Sequence, residues 1–167
     1  AIAVNMDACI QCGLCVRGCR EVLVNDVIGL AGRGPNAHIV FDLGDDMGAS
    51  TCVGCGECVQ ACPTGALMPK ASLDENGVFA NKPDRQVDSL CPYCGVGCQL
   101  TFNIKDDKIL SVDGRPGPAN RGRLCVKGRY GFDYIHNKDR LTTPMIRKSD
   151  CPKTVSYTHL TLPTNDQ

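Results

Sequence analysis

The sequence predicts an α+β fold made of small modules and organised around bound metal rather than around a large apolar core. Thirteen of the 167 residues are Cys, and they occur in clusters. Hydrophobic residues make up 43% of the chain, but this figure includes the Cys, and only 5% of the residues are aromatic. A purely apolar core would be thin at this length. An odd, clustered Cys count also differs from the even counts of small disulfide-bonded secreted domains.

The charge and hydropathy of the chain exclude two classes of protein. Lys plus Arg and Asp plus Glu each number 18, so the formal net charge is zero. A nucleic-acid-binding domain would show a basic excess. No apolar segment approaches the ~20 residues that a membrane-spanning helix needs. We therefore predict no nucleic-acid partner and no membrane span.

The first part of the chain contains an internal repeat with the spacing CxxCxxCxxxC. It consists of Cys9, Cys12, Cys15 and Cys19, followed by Cys52, Cys55, Cys58 and Cys62. This spacing is typical of paired [4Fe-4S] clusters, in which three Cys of a run hold one cluster and the fourth holds the other. Two zinc sites are the alternative, although structural zinc usually takes two CxxC pairs. The predicted ligand sets are Cys9, Cys12, Cys15 and Cys62 for the first cluster, and Cys52, Cys55, Cys58 and Cys19 for the second.

A third group of cysteines follows and predicts a third [4Fe-4S] cluster. The ligands of this third set are Cys91, Cys94, Cys98 and Cys125. Two strand-like segments, Gln99–Ile104 and Ile109–Asp113, flank a polar turn inside this group. The thirteenth cysteine, Cys151, has no Cys near it in the sequence, so we predict that it is not a ligand.

The remaining elements follow from local composition. Short helices are expected to begin within the Cys runs, and a strand is expected around Ile39–Leu43 in the insertion between the two runs. A polar, Pro-containing segment over Asp74–Ser89 is typical of a linker. A further helix is expected over Val126–Asn137. The predicted organisation is a two-cluster domain at 1–70, a linker at 71–89, a third-cluster domain at 90–148 and a tail at 149–167.

Several segments together resemble a known family. They are MDACIQCGLCVRGC, STCVGCGECVQACPTGALMP, CPYCGVGC with the later LCVKG, and RLTTPMIR at Arg140–Arg147. Over residues 1–148, this order resembles the alpha subunits of cytoplasmic, NAD-dependent, molybdopterin-containing formate dehydrogenases. The resemblance implies a ferredoxin-like domain with two [4Fe-4S] clusters, followed by a small antiparallel β domain of the molybdopterin oxidoreductase type with one more.

The resemblance also implies cofactors, a partner and a further site residue. The three clusters would carry electrons between a bis-molybdopterin guanine dinucleotide, with molybdenum or tungsten, and a flavin-containing, NAD-reducing iron–sulfur subunit. Formate or carbon dioxide would react only in a domain outside these residues. Lys127, two residues after Cys125, would lie between the third cluster and the pterin. Five cations in this region would favour the anionic cluster and cofactor phosphates: Arg115, Arg121, Arg123, Lys127 and Arg129. For Arg115, a solvated loop is an equal alternative.

Two other functions stay open. The large iron–sulfur subunit of respiratory complex I shares much of this architecture, and a free polyferredoxin-like electron carrier would need no catalytic domain. The motif CPYCGVGC with Lys127 favours the formate enzyme, because complex I has no molybdenum. No His of the chain matches a catalytic motif, so we predict no catalytic residue.

The two ends suggest that the chain was taken from a longer one. It begins with Ala1, almost directly before the first Cys run. Near the other end, VSYTHLTLPT at 155–164 resembles the in-frame translation of a sequencing-library adapter. We therefore predict that the tail at 149–167 is non-native or disordered.

Overall fold

The computed structural model describes residues 1–143 together with two short backbone strands, β8 (Met145–Ile146) and β9 (Thr158–His159), which pair antiparallel. Ala1–Phe132 form one compact unit, and the chain from Asp133 onward belongs to a second. Cys151 and, apart from β9, the predicted adapter-derived segment lie outside the described residues. Within the part of the chain that is described, no helix is both long and apolar enough to cross a membrane.

The first 72 residues fold around the two Cys runs. Strand β1 (Ile2–Val4) pairs antiparallel with β4 (Leu67–Pro69) and so brings the two ends of this region together. The first run starts helix α1 (Leu14–Arg17), which continues as a π-helix at Gly18–Val22, and the second run starts α2 (Glu57–Ala61). The expected short helices within the Cys runs are therefore confirmed.

The insertion between the runs forms a β-hairpin. Strand β2 (Ile28–Ala31) pairs with β3 (His38–Phe41), so the strand expected around Ile39–Leu43 is present but ends at Phe41. The chain leaves the strand there because Asp42 adopts a left-handed conformation with φ +46°. Short 3-10 turns at Met6–Ala8, Gly34–Asn36 and Lys70–Ser72 complete this region.

Cysteines make up much of the core of this region. The buried apolar cluster contains Cys19 and Cys58 beside aliphatic and aromatic residues of α1, β2, β3 and β4. Four more candidate ligands are partly buried against it: Cys9, Cys15, Cys52 and Cys62. The thin apolar composition is thus matched by a core in which the thiols themselves are packed.

The third Cys group accompanies a three-stranded antiparallel sheet of order β5-β6-β7. Strands β6 (Gln99–Lys105) and β7 (Lys108–Gly114) confirm the predicted pair. Strand β5 (Arg85–Leu90) begins within the segment for which the sequence predicted a linker. Most of its residues are exposed, so no apolar alternation marked it as a strand, and pairing with β6 supplies the stabilisation instead.

The predicted helix over Val126–Asn137 is divided in two. Helix α3 (Val126–Tyr130) ends at Gly131, and a 3-10 helix continues over Gly131–His136. Gly is a poor helix former. In addition, the Tyr93 ring packs so closely on Gly131 that a Cβ added there would lie 2.7 Å from the Tyr93 hydroxyl. This tertiary contact fixes the position of the break.

Candidate metal centres

The four thiols predicted to hold the first cluster line a single cavity. Its walls contain Cys9, Cys12, Cys15 and Cys62, together with the apolar side chains of Met6, Ile10, Ile39 and Leu67. Cys62 reaches this cavity although it is 47 residues away from Cys15 in the sequence, because the pairing of β1 with β4 folds the end of the second run back onto the first. The structure therefore brings the first predicted ligand set together.

One backbone N–H group in each Cys run donates to the first sulfur of that run. The N–H of Gln11 lies 3.4 Å from Cys9 Sγ, and the N–H of Gly54 lies 3.4 Å from Cys52 Sγ. Both donors occupy the left-handed region, with φ +55° at Gln11 and +65° at Gly54. Hydrogen bonds to the ligand sulfurs from the surrounding backbone are a common feature of metal sites with Cys ligands.

The four thiols of the second set also come together. Burial and, to a smaller extent, the charges of neighbouring cysteines together raise the pKa of Cys58 to about 12. In decreasing order of effect, these neighbours are Cys55, Cys52, Cys15 and Cys19. Three of them complete the predicted second set, and the fourth belongs to the first set, so the two candidate centres are adjacent. Cys19 is buried on the π-helix and accepts the N–H of Val27 at 3.3 Å.

Cys62 has the opposite electrostatic character. Burial raises the pKa of its thiol, but hydrogen bonds from the backbone N–H groups of Leu67, Thr64 and Gly65 and from the Thr64 hydroxyl outweigh this effect, so the pKa of Cys62 is lowered. The Thr64 Oγ1 lies 3.8 Å from Cys62 Sγ. This thiol is therefore prepared to ionise, as a metal ligand must be.

The third set converges around Cys98. Burial raises the pKa of Cys98, and the charges of Cys91, Cys94 and Cys125 raise it further. Cys98 and Cys125 line one cavity, which Arg121 and Arg123 also border. The other three members of the set are thus close enough to act on Cys98.

Asn120 fixes the loop that leads to Cys125. The side chain of this buried residue donates to the carbonyl oxygens of Gln99, Arg115 and Arg123 at 2.9, 3.2 and 3.0 Å. Its Oδ1 accepts the Gln99 N–H at 3.1 Å. Nothing in the sequence singled out Asn120, because an isolated Asn in a Pro- and Gly-containing loop usually only forms a turn.

The three donor sets fit iron–sulfur clusters in their chemistry. Each offers four thiolates, which is the ligand set of a [4Fe-4S] cluster. Among residues 1–143, no three His, Cys, Asp or Glu side chains are placed to bind a single metal ion.

Arg129 links the second Cys run to the third Cys group. It is only 3% exposed, and its guanidinium donates to Glu57 Oε1 at 2.9 Å, to Gln60 Oε1 at 2.7 Å and to the Cys55 carbonyl oxygen at 2.8 Å. A fourth bond, at 3.3 Å, reaches the carbonyl oxygen of Val112 on β7. We call Glu57, Gln60 and Arg129 the Arg129 junction.

The Arg129 junction corrects one expectation from the sequence. Arg129 was grouped with the cations that would face a cluster and the cofactor phosphates, but its charge is neutralised by the buried carboxylate of Glu57. Glu57 also accepts the N–H of Leu124 at 3.1 Å. Residues 72 positions apart in sequence form this pair, so no local pattern could have revealed it.

The other cations of this region are more accessible. Lys127 is exposed on α3, two residues after Cys125, and Arg121 and Arg123 are also exposed. Arg115 lies 3.6 Å from Asp88 through its Nε. The structure thus places Lys127 beside the third set on an open face, whereas Arg115 is paired within the protein.

Tyr130 lies next to Arg129 at the end of α3, against the second set. Its hydroxyl is buried and has no hydrogen-bond partner among the described residues. Burial raises the pKa of Tyr130; the Arg129 charge lowers it, and the charges of Cys58, Cys55 and Cys52 raise it, so the net change is upward.

Comparison with known protein families finds a match for two segments of the chain. Residues 8–66 match the 4Fe-4S dicluster domain, and residues 84–137 match the molybdopterin oxidoreductase Fe4S4 domain. The fold class predicted from the sequence is therefore confirmed: a ferredoxin-like dicluster domain is followed by a small antiparallel domain of the molybdopterin oxidoreductase type.

Curated relatives extend across most of the chain. An NADH-quinone oxidoreductase component of Rhizobium meliloti is 37% identical over 158 residues, which cover 93% of this chain and 18% of that protein. A Bacillus subtilis protein named only as an oxidoreductase is 29% identical over 180 residues, covering 86% of this chain and 18% of its own length. A Staphylococcus haemolyticus protein whose name gives formate dehydrogenase as its inferred activity is 29% identical over 178 residues. These residues cover 85% of this chain and 18% of that protein. The chain thus spans about a fifth of the length of these relatives.

Proposed function

We propose that the chain is the iron–sulfur electron-transfer part of a formate dehydrogenase. In this enzyme, electrons from a molybdenum- or tungsten-pterin site held elsewhere would pass through three [4Fe-4S] clusters to a flavin-containing, NAD-reducing partner subunit in the cytoplasm. Formate or carbon dioxide would react at the pterin site and not on these residues. The clusters, when bound, supply one-electron redox centres, and the chain supplies their thiolates and fixes their positions.

The observation that carries the proposal is the convergence of twelve thiols into three sets of four within the unit Ala1–Phe132. The first and second sets are adjacent, since Cys15 acts electrostatically on Cys58. The second and third sets are connected by the Arg129 junction, which fastens α2 to β7 and to α3. A fixed spatial order of centres is what stepwise electron transfer requires.

Lys127 and the domain boundaries belong to the same proposal. Lys127 would lie between the third cluster and the pterin, for which its exposed position on α3 is suitable. The division into a two-cluster domain at 1–70, a linker at 71–89 and a third-cluster domain at 90–148 would describe the ligand groups, with the Arg129 junction joining them.

A second candidate function is a subunit of a respiratory NADH dehydrogenase. The observation that favours it is the 37% identity to the Rhizobium meliloti protein, compared with 29% to the formate dehydrogenase relative. The two functions differ in the electron source, which would be formate in the first case and NADH in the second. A free three-cluster carrier, the third function that the sequence left open, would accept electrons from neither without a separate enzyme.

The cluster content can be tested by anaerobic reconstitution of the chain with iron and sulfide. We expect about twelve iron and about twelve sulfide per chain, since each cube contains four of each. A measured content of about eight iron per chain would mean that only two of the three clusters form. The Cys91→Ala variant should then lose one third of the iron, and an unchanged iron content in this variant would remove the third set from the assignment.

The electron source can be tested on the full-length protein that contains these residues, in complex with its flavin-containing partner subunit. Under anaerobic conditions, formate alone should reduce the clusters, as followed by their visible absorbance and electron paramagnetic resonance signals. Reduction by NADH but not by formate would favour the second candidate. Lys127→Ala should slow reduction by formate while leaving the iron content unchanged, and equal rates in the two proteins would contradict the role proposed for Lys127.

A further inference from the structure

The hydroxyl of Tyr130 is a buried polar group without a partner in the described part of the protein. Among the described residues, only two buried side-chain polar atoms lack a hydrogen bond, and the other, Arg115 Nε, faces Asp88 as an ion pair. Leaving a buried hydroxyl without a hydrogen bond destabilises the folded state. Buried polar groups of this kind usually have a partner, which can be an ion or a cofactor.

The surroundings of the Tyr130 hydroxyl contain the second Cys run. A Cβ added at Gly56 would lie 2.7 Å from Tyr130 Oη, so the hydroxyl rests directly on the backbone between Cys55 and Glu57. The charges of Cys58, Cys55 and Cys52 all act on Tyr130. The candidate acceptors at this location therefore include the sulfur atoms of the second set.

The immediate neighbours do not satisfy the hydroxyl. Arg129 carries only donors and cannot accept a proton from Tyr130. The Cys55 carbonyl oxygen, which lies on the same turn, already accepts Arg129 Nε at 2.8 Å. Among the described residues the hydroxyl therefore has no hydrogen-bond partner, and the adjacent Cys-bearing turn is where a bound cluster would supply one.

We propose that Tyr130 donates a hydrogen bond to the second cluster, through one of its sulfides or through a ligating thiolate of Cys52, Cys55 or Cys58, and thereby raises the reduction potential of that cluster. The inference rests on the proposed assignment of a cluster to these cysteines. Reduction makes the cluster more negative, so a donor stabilises the reduced form more than the oxidised form.

The rest of α3 holds the donor in place. Arg129, the preceding residue, is fixed by four hydrogen bonds to the second run and to β7. Five residues before Tyr130, Cys125 is the N-cap of the same helix and a ligand of the third set. One short helix therefore supplies a ligand to the third centre and a donor to the second, so the hydroxyl does not have to be ordered when the cluster forms.

The first centre has no equivalent donor at the corresponding position. Gly13 aligns with Gly56 in the repeat, and no described atom lies within 4 Å of a Cβ added at Gly13. Two runs with the same spacing would therefore hold clusters of different potential, and the second cluster would be the easier one to reduce.

The experiment is a redox titration of the reconstituted chain, followed by electron paramagnetic resonance, with Tyr130→Phe beside the wild type. At a fixed potential, we expect the ratio of reduced to oxidised second cluster to fall about tenfold in the variant, which corresponds to about 59 mV for a one-electron couple. The signal of the second cluster is the one that Cys55→Ala removes. Tyr134→Phe, which changes an exposed phenol, is the matched control and should move no potential.

The outcomes separate this inference from the proposed function. Unchanged potentials in a Tyr130→Phe chain that retains about twelve iron would overturn the hydrogen bond but not the cluster assignment. A Cys55→Ala variant with the same iron content as the wild type would overturn the assignment itself. If Tyr130→Phe fails to assemble the second cluster, 3-fluorotyrosine at position 130 decides, because a more acidic phenol is a stronger donor. We expect it to raise the potential, and an unchanged value would contradict the proposal.

Discussion

The two Cys runs of the first region have the same spacing but different surroundings. Their turns are alike: Gly13 has φ +73° and Gly56 has φ +75°, and each is the N-cap of the short helix that follows. The N–H to sulfur distance is 3.4 Å in both turns. The same spacing of cysteines is thus accompanied by the same local backbone conformation in both runs.

The side chains that follow each turn show the difference. Leu14, after the first turn, is 40% exposed, whereas Glu57, at the equivalent place after the second, is 7% exposed and paired with Arg129. Arg17 lies on the surface, and its counterpart Gln60 bonds to Gly114, Gly122 and Arg129. A repeated motif therefore specifies ligand geometry, while the protein packed on it decides solvent access and electrostatics.

The largest expected effect concerns the exchange of the fourth ligands between the runs. Cys19→Ala should remove the second cluster and leave the first, and Cys62→Ala should do the reverse, because each remote Cys lies with the other run. Iron should fall from about twelve to about eight per chain in each variant. Iron analysis with electron paramagnetic resonance checks this. Loss of the first cluster in Cys19→Ala would show that each run holds its own cluster.

The Arg129 junction should matter far more than its surface counterpart. Arg129→Met leaves the buried Glu57 carboxylate unpaired, which should reduce the free energy of unfolding by about 3–5 kcal/mol. Arg17→Met is the matched control, because the Arg17–Glu21 pair has side-chain exposures of 68% and 56%. It should cost about 0.3–0.5 kcal/mol. Urea denaturation of the cluster-loaded chains measures both values.

A double variant sharpens the same comparison. Glu57→Leu with Arg129→Met replaces the ion pair by apolar side chains, and Leu is the residue that the first run has at this place. The double variant should recover most of the stability lost in Arg129→Met alone. Equal stabilities of the single and double variants would mean that the unpaired carboxylate is not the source of the loss.

The two equivalent glycines should respond differently to Ala. Both adopt a left-handed backbone conformation, so each substitution should cost about 1–2 kcal/mol. At Gly56 the added Cβ would also overlap the side chain of Arg129, which should add about 1–3 kcal/mol for overpacking. Thermal denaturation of the loaded variants measures the difference, and equal losses would argue against close packing at Gly56.

The smallest effect is expected at Thr64, whose hydroxyl lies 3.8 Å from Cys62 Sγ. Thr64→Val removes a donor near the first cluster, so the ratio of reduced to oxidised first cluster at fixed potential should fall about threefold, which is within the range of one exposed hydrogen bond. Redox titration checks this, with Thr101→Val as a control on β6. A shift as large as that of Tyr130→Phe would remove the distinction between the two centres.

The ligand sets and most strands could be predicted because those features are local or repeated. Four Cys at fixed spacing need no knowledge of the rest of the chain, and the apolar segments of β6 and β7 flank an evident turn. Strand β5 was missed because its residues are mostly exposed. Arg129 was interpreted through its neighbouring cations, whereas its partner Glu57 comes from a distant run. The Tyr130 hydroxyl likewise acquires its location only after α3 has packed on Gly56.

The Arg129 junction has a consequence for anyone who wishes to build a minimal two-centre electron carrier from this chain. A truncation after residue 70 would remove Arg129 and leave the Glu57 carboxylate and Gln60 without the groups they bind. The first run shows which side chains suit the same backbone on an open surface, with Leu and Arg at these two places. A shortened carrier should therefore contain Glu57→Leu and Gln60→Arg, so that its second half resembles its first.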